Sequence, residues 1–263
     1  MDLGLKDKVA LIVASSAGLG KASALGFARE GANVVISGRD EQRLQETRKA
    51  IIAETGVEVM AVRMDVTEKE DIESLVDKVI KKFGTVHVLV NNAGGPPPSL
   101  FWETSDEDWI KAFELTLMSS VRLTRSIIPY MRKQKWGRVI NITSITAKQP
   151  IDKLLLSNSL RLGVIGWAKT LSNQLAKEGV LINNVCPGWT TTERVVALTE
   201  ALAKTNDTSQ QEEVTAIAQN IPMGRLGTPD EFANVVVFLG SERASYLTGT
   251  SIQIDGGATA GFN

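Results

Sequence analysis

Short runs of β-branched and other apolar residues alternate along this chain with longer segments whose apolar positions recur at helical spacing. The runs at 9–14 (VALIVA), 33–37 (NVVIS), 58–63 (EVMAVR), 86–91 (VHVLVN), 137–143 (GRVINIT), 180–186 (VLINNVC) and 251–255 (SIQID) predict strands. The segments near 19–30, 40–55, 68–83, 106–133, 157–178 and 229–239 predict helices. Such alternation is the signature of βαβ units, whose crossovers make a sheet parallel. The expectation is an α/β fold, a doubly wound seven-stranded parallel sheet of the Rossmann kind flanked by helices, as a single domain over 1–263.

Two segments break the rhythm. Gly94-Gly95-Pro96-Pro97-Pro98 follows the fourth strand and can be neither helix nor central strand, so it reads as an ordered loop. Residues 189–228 follow the sixth strand and read as a lid-like insertion, polar and partly helical, with a stop at Ile221-Pro222. In open α/β sheets the ligand crevice lies beyond the carboxyl ends of the strands, where both segments fall.

Composition narrows the classes of partner. Lys and Arg number 29 against 30 Asp and Glu, a net charge of -1, and no tail or face gathers one sign. Nucleic acid and anionic membrane are therefore not expected partners. One cysteine, Cys186, and one histidine, His87, leave no disulfide and no metal-ligand cluster. The apolar run near the N-terminus is too short for a signal peptide or a span, so a cytoplasmic protein is expected.

The first strand runs into Ala14-Ser15-Ser16-Ala17-Gly18-Leu19-Gly20 and then a helix. A glycine turn of this kind lets backbone approach a pyrophosphate while the helix N-terminus offers free N–H groups and partial positive charge. Alone, the glycine pair is equally explained as a structural turn. Other pieces stand in order behind it: Asp65-Val66, Asn91-Asn92-Ala93-Gly94, Pro187-Gly188 with Thr192, the segment from Pro222 through Asp230, and Asp255-Gly256-Gly257. Together they resemble the classical short-chain dehydrogenase/reductase family over nearly the whole length, in particular its 3-oxoacyl-acyl-carrier-protein reductase-like members. The family's Thr-Gly opening is here Val13-Ala14.

The resemblance implies a dinucleotide held by Ser16, Gly18, Leu19, Gly20, Asp65, Val66, Asn91, Ala93, Gly94, Pro187, Gly188 and Thr192. After the second strand stands Ser37-Gly38-Arg39, with no carboxylate before Asp40. An acidic residue there would select NAD through the ribose hydroxyls, whereas arginine pairs with a 2′-phosphate. NADP is therefore expected over NAD, the alternative for Arg39 being a plain solvated side chain.

Family members reduce a carbonyl or oxidise an alcohol with a tyrosine as general acid/base, a serine on the substrate oxygen, a lysine four residues after the tyrosine and an asparagine completing a proton path. Ser144 matches the serine; Ser157 stands at the tyrosine position, Arg161 at the lysine and Thr116 at the asparagine. The remaining tyrosines, Tyr130 and Tyr246, read as distant from the crevice. Asp152 and Lys153 are the nearest titratable groups, readable equally as a surface ion pair. Trp189, Glu193, Arg194 and Met223 are candidate substrate lining, and Leu154-Leu155-Leu156 a candidate apolar wall.

Two functions follow as expectations. One is an NADP-dependent oxidoreductase acting on a small-molecule carbonyl or secondary alcohol with atypical acid/base residues. The other is a non-catalytic NADP-binding protein, a partner subunit or redox-ratio sensor. A homotetramer is expected from the resemblance through 157–178 and the last strand, with Leu160, Val164, Trp167 and Leu171 as a helical stripe that a buried core helix would show as well.

Overall fold

A computed structural model of the protein describes residues 1–261. All seven strands form: β1 Val9–Ile12, β2 Asn33–Gly38, β3 Val59–Arg63, β4 Val88–Asn91, β5 Gly137–Ile142, β6 Val180–Pro187 and β7 Ser251–Ile254. They make one sheet in the order β3-β2-β1-β4-β5-β6-β7, with every pair parallel. The order reverses between β1 and β4, which places the crevice of a doubly wound sheet above the carboxyl ends of those two strands.

The helices are α1 Gly18–Arg29, α2 Glu41–Thr55, α3 Lys69–Phe83, α4 Asp106–Phe113, α5 Ser119–Lys133, α6 Leu155–Leu175, α7 Glu193–Asn206, α8 Gln210–Gln219 and α9 Pro229–Leu239. Apolar residues alternate between the two faces of the central strands, giving two cores. Ala10, Ile12, Val34 and Ile36 pack with Phe27 and Phe232 on one side; Val9, Leu11, Val35 and Leu89 pack with Leu75, Ile127 and Met131 on the other. The period-two pattern of a strand covered on both faces dictates this split. Among the described residues, no helix is long and apolar enough to cross a membrane.

The structure corrects several boundaries. The predicted helix over 106–133 is not continuous: a π-helical turn, Glu114–Met118, interrupts it, with Thr116 at its centre. One extra residue per turn re-aims a side chain, and such bulges gather at functional sites. Helix α6 begins two residues before the predicted 157 and ends at Leu175, a 3-10 turn covering Ala176–Glu178. Segment 189–228 carries two helices, α7 and α8, where the sequence suggested only some helical content. The α6 stripe is mostly core: Val164 is buried, and Trp167 and Leu171 pack on the second core.

Candidate active site

The turn after β1 is held from three sides. Ala14 takes φ 48°, the left-handed conformation in which glycine carries no Cβ penalty, so the substitution of the family glycine is accommodated with strain rather than by a different turn. Gly18 also has positive φ. A Cβ on Gly20 would stand 2.6 Å from the Ala14 carbonyl oxygen and 2.8 Å from Asn92 Nδ2. Asn92 Nδ2 in turn donates to that Ala14 oxygen at 3.0 Å, tying the end of β4 to the turn. Sequence reasoning singled out Asn91 and missed Asn92, although the doubled asparagine at a strand end was the signal. Helix α1 has no side-chain cap, so its first N–H groups open into the crevice. Thr192 lies over them, its Cγ2 3.7 Å from the place of a Gly18 Cβ. Leu19 turns inward onto the first core, so it fixes the helix rather than facing the crevice.

At the end of β2, Ser16 Oγ lies 3.1 Å from the place of a Gly38 Cβ, beside Arg39. The Arg39 side chain is 80% exposed and its Nη1 stands 3.9 Å from Asp65 Oδ2, a loose surface pair. Asp65 Oδ1 is engaged by the backbone N–H and hydroxyl of Thr67, and Val66 is buried behind it. Asp40, the nearest carboxylate after β2, caps α2 by accepting from Arg43 N at 3.0 Å. Capping ties one of its oxygens to the start of α2.

Beneath the site, amides cross the sheet. Asn91 Nδ2 donates to Asn141 Oδ1 at 2.8 Å and to Thr124 Oγ1 at 2.9 Å, and Asn141 Nδ2 donates to Asn184 Oδ1 at 2.9 Å. Strand register sets Asn91 opposite Asn141 and Asn141 opposite Asn184. Asn91 Oδ1 is left buried without a partner, and it lines a small cavity with Asn92, Ala93, Thr116, Asn141 and Arg161.

Ser144, Ser157, Arg161 and Thr116 converge beyond β5. Ser144 opens the 3-10 turn Ile145–Ala147, its Oγ accepting from Thr146 N at 3.1 Å, which leaves its own O–H free to donate. Ser157 is buried on α6, 3.0 Å from Thr146 Oγ1. Thr146, unremarked in the sequence, therefore ties the two serines together. Arg161, one turn on, is 8% exposed; its Nη1 donates to the Ile142 carbonyl at 2.9 Å and its Nε has no partner. Burial pushes its pKa down to about 10, with the charge of Arg194 adding to the drop, so it stays protonated at neutral pH. Thr116 is 5% exposed with an unpartnered Oγ1.

The remaining expectations divide. Tyr246 is fully exposed and Tyr130 packs against the second core, so the phenols stay with structure and surface. Asp152 and Lys153 are both exposed, and no ion pair joins them among the described residues. Instead the Lys153 carbonyl accepts from Ser99 N at 2.8 Å, and Leu154 bridges Ser99, joining the proline loop to the start of α6. Leu156 is core. Trp189 and Met223 line a separate cavity with Asp255 and Gly256, while Glu193 pairs with Arg43 of α2. Pro187 ends β6, and a Cβ on the following Gly188 would lie 2.7 Å from Asp255 Cβ, so only glycine lets β6 and the segment after β7 approach this closely. Gly94 is exposed, with open space around its Cα.

Comparison with known proteins agrees with this geometry. The family model described as Enoyl-(Acyl carrier protein) reductase matches residues 13–259. The 3-oxoacyl-(acyl-carrier-protein) reductase of Thermotoga maritima is 35% identical over 253 residues, 96% of this chain and 98% of that protein. Its counterpart from Aquifex aeolicus is 33% identical over 257 residues, 98% of this chain and 99% of that protein. Among solved structures, L-sorbose reductase from Gluconobacter frateurii complexed with NADPH and L-sorbose superposes with a TM-score of 0.97 at 35% identity, covering 100% of both chains.

Proposed function

This chain belongs to the short-chain dehydrogenase/reductase family, and from that premise we propose that it binds NADPH and catalyses hydride transfer between the cofactor and a small carbonyl compound or secondary alcohol. The observation that carries the reading is the uncapped start of α1 above a turn that Gly20 and Asn92 hold closed, with Ser16 packed at the end of β2 before Arg39.

The residues fit the cofactor. Free N–H groups at α1 and the left-handed Gly18 form a concavity for a pyrophosphate. Arg39 and Ser16 offer charge and hydroxyl to a 2′-phosphate, and Asp40 is drawn toward the start of α2 by its cap. The orphaned Nε of Arg161 is a donor for a ribose hydroxyl. Asp65 and Val66 border the adenine end; Ala93, Gly94, Pro187, Gly188 and Thr192 border the nicotinamide end.

The reduced nicotinamide supplies a hydride when bound. The Ser144 hydroxyl donates to the substrate oxygen, and the Ser157 hydroxyl, itself satisfied by Thr146, is a second donor. Neither serine is hydrogen-bonded to a group that titrates near neutrality, so the proton on the product oxygen comes from solvent through these hydroxyls. A positioned acid is worth roughly 10²–10⁴-fold, or about 3–5.5 kcal/mol of barrier, and orientation of the reactants is worth more. The site is thus that of a slow reductase. The same absence of a titrating acid favours the second reading, a cofactor-binding protein without turnover. Single-turnover loss of NADPH absorbance over a panel of ketones separates them: oxidation of bound NADPH is expected with at least one ketone, and none across the panel would leave the binding role alone.

NADPH is expected to bind at least about tenfold tighter than NADH, since each decade needs only about 1.4 kcal/mol and a charge-assisted hydrogen bond supplies that. Calorimetric titration of both cofactors, repeated on Arg39→Ala, measures it. Equal affinities, or a preference that survives the substitution, would remove Arg39 from this role.

The assembly we infer is a homotetramer. Phe101 and Trp102 are 68% and 83% exposed with their rings edge to face, and Ile110 of α4 and Leu162 of α6 are exposed as well, none of them in the stripe expected from sequence. Exposed apolar area of this kind marks an interface. Light scattering should give four chains, with Trp102→Glu and Leu162→Glu lowering the mass; a monomer at all concentrations would contradict it.

A further inference from the structure

Three cations border the reacting end of the crevice with no anion beside them. Arg194, at the start of α7, reaches across to the loop after β4: its Nη1 and Nη2 stand 3.1 and 3.3 Å from where a Cβ on Gly95 would be. Arg161 is buried below, committed only to the Ile142 carbonyl. Lys148 follows the turn that Ser144 opens, half-buried. Arg194 acts on Arg161 as a like charge, and Lys148 and Arg161 act together on the buried Cys186 thiol at the end of β6. Among the described residues none of the three cations stands in an ion pair.

Four carboxylates about the crevice are engaged elsewhere, and Asp152 lies exposed in the loop before α6. Asp255 accepts from Gly257 N and Thr259 N, each at 2.9 Å. Glu193 pairs with Arg43, Asp65 holds Thr67, and Glu103 accepts from Leu100 N. Gathering like charges beside a buried, unpaired guanidinium costs stability, and proteins place such uncompensated charge where a ligand supplies the opposite sign. The α1 N-terminus and Arg39 follow β1 and β2, whereas Arg194 meets the Gly95 loop after β4, Arg161 meets the last carbonyl of β5, and Lys148 ends the turn that Ser144 opens.

We propose that Arg194 and Lys148, with Arg161 behind them, form an anion subsite, so that the carbonyl compound reduced here carries a carboxylate. The inference deepens the reductase reading and rests on it for the word "reduced". Arg194 holds the carboxylate by its guanidinium fork, and Ser144 and Ser157 hold the carbonyl oxygen. The spacing between the two groups of the substrate is set by the distance from the Gly95 loop to Ser144.

Binding, rather than turnover, tests this. The NADP⁺-bound protein is titrated by calorimetry with 2-oxobutanoate, 3-oxobutanoate and 4-oxopentanoate and with the methyl ester of each; no hydride is available, so only affinity is read. At least one acid should bind about tenfold or more tighter than its ester, the scale of one charge-assisted contact. Arg194→Gln should bring acid and ester together while leaving NADPH affinity unchanged, and Lys148→Gln should narrow the gap partly. The thermal midpoint of Arg194→Gln should not fall, because no hydrogen bond is lost and a like charge is removed. Esters binding as well as acids in the unaltered protein would overturn the proposal. So would an Arg194→Gln variant that weakens NADPH while preserving the acid-to-ester ratio, which would assign the arginine to the cofactor. Selective binding of an acid with no turnover under NADPH would keep the anion subsite and remove the reductase.

Discussion

Replacing Ser157 by tyrosine and Arg161 by lysine together is expected to raise NADPH-dependent turnover of a permissive ketone by roughly 10²-fold or more, the typical worth of a positioned acid. The reason lies in what the site lacks. In the proposed reaction Ser144 holds the substrate oxygen, but the adjoining hydroxyls of Ser157 and Thr146 do not titrate in the working range, and Arg161 stays charged. A phenol beside an ammonium has its pKa drawn down by the charge pair toward the range where it can give up a proton. Ser157→Tyr alone should give less, because the guanidinium spreads its charge over a wide fork and cannot pass a proton on. Arg161→Lys alone should give no gain, since it adds no acid and removes the bond to the Ile142 carbonyl. Ser157 is buried, so the ring must enter the crevice rather than the core, and overpacking costs about 1–3 kcal/mol. A crystal structure of the double variant with NADPH therefore accompanies the kinetics. A correctly seated ring, intact cofactor binding and flat turnover over a broad set of carbonyls would overturn the oxidoreductase reading.

The parts of this molecule that were legible in its sequence are those fixed by local chemistry. Strand runs and helical spacing marked all seven strands because most of them are buried on both faces and read as continuous apolar runs, and the strand-turn-helix at Gly18 was readable because turn, glycine and helix start are contiguous. The reading that Ser157 and Arg161 stand where the family has tyrosine and lysine rests on register through α6 and the Pro187-Gly188 turn. What was not legible depends on contacts between distant residues. The Asn91, Asn141 and Asn184 ladder joins residues about 40 to 50 positions apart, and only strand order makes them neighbours. Asn92 gained its role from a carbonyl 78 residues away. Nothing local distinguishes Asp40 as a helix cap from Asp40 as a ribose acceptor until α2 is seen to start one residue later. Helical spacing alone did not tell which side of α6 meets the core: Val164 is buried and Leu162 is exposed.

The tightest geometric demand in the site falls on Gly20, and Gly20→Ala is expected to weaken NADPH binding by about two decades, equivalent to about 2.7 kcal/mol. The added methyl would lie 2.6 Å from the Ala14 oxygen, 2.8 Å from Asn92 Nδ2 and 2.9 Å from Ser15 Cα. Two of these are backbone atoms, so no side chain can swing away, and α1 must move relative to β1. That movement separates the Ala14 oxygen from Asn92 Nδ2 and turns the first N–H groups of α1 off the position where a pyrophosphate would sit. Ala14 is already in a left-handed conformation that costs an alanine roughly 1–2 kcal/mol, so the turn has little slack to absorb the shift. The fold should survive with a loss of about 1–3 kcal/mol, the usual cost of overpacking. Gly166→Ala on α6 is the matched control. Nothing lies within 4 Å of its Cβ position, and helix propensity favours alanine there by about 1 kcal/mol, so stability should rise and NADPH affinity hold. Fluorescence titration with NADPH and thermal unfolding of both variants read the two effects separately. A Gly20→Ala protein that binds NADPH as tightly as the parent would show that the cofactor does not rest on this turn.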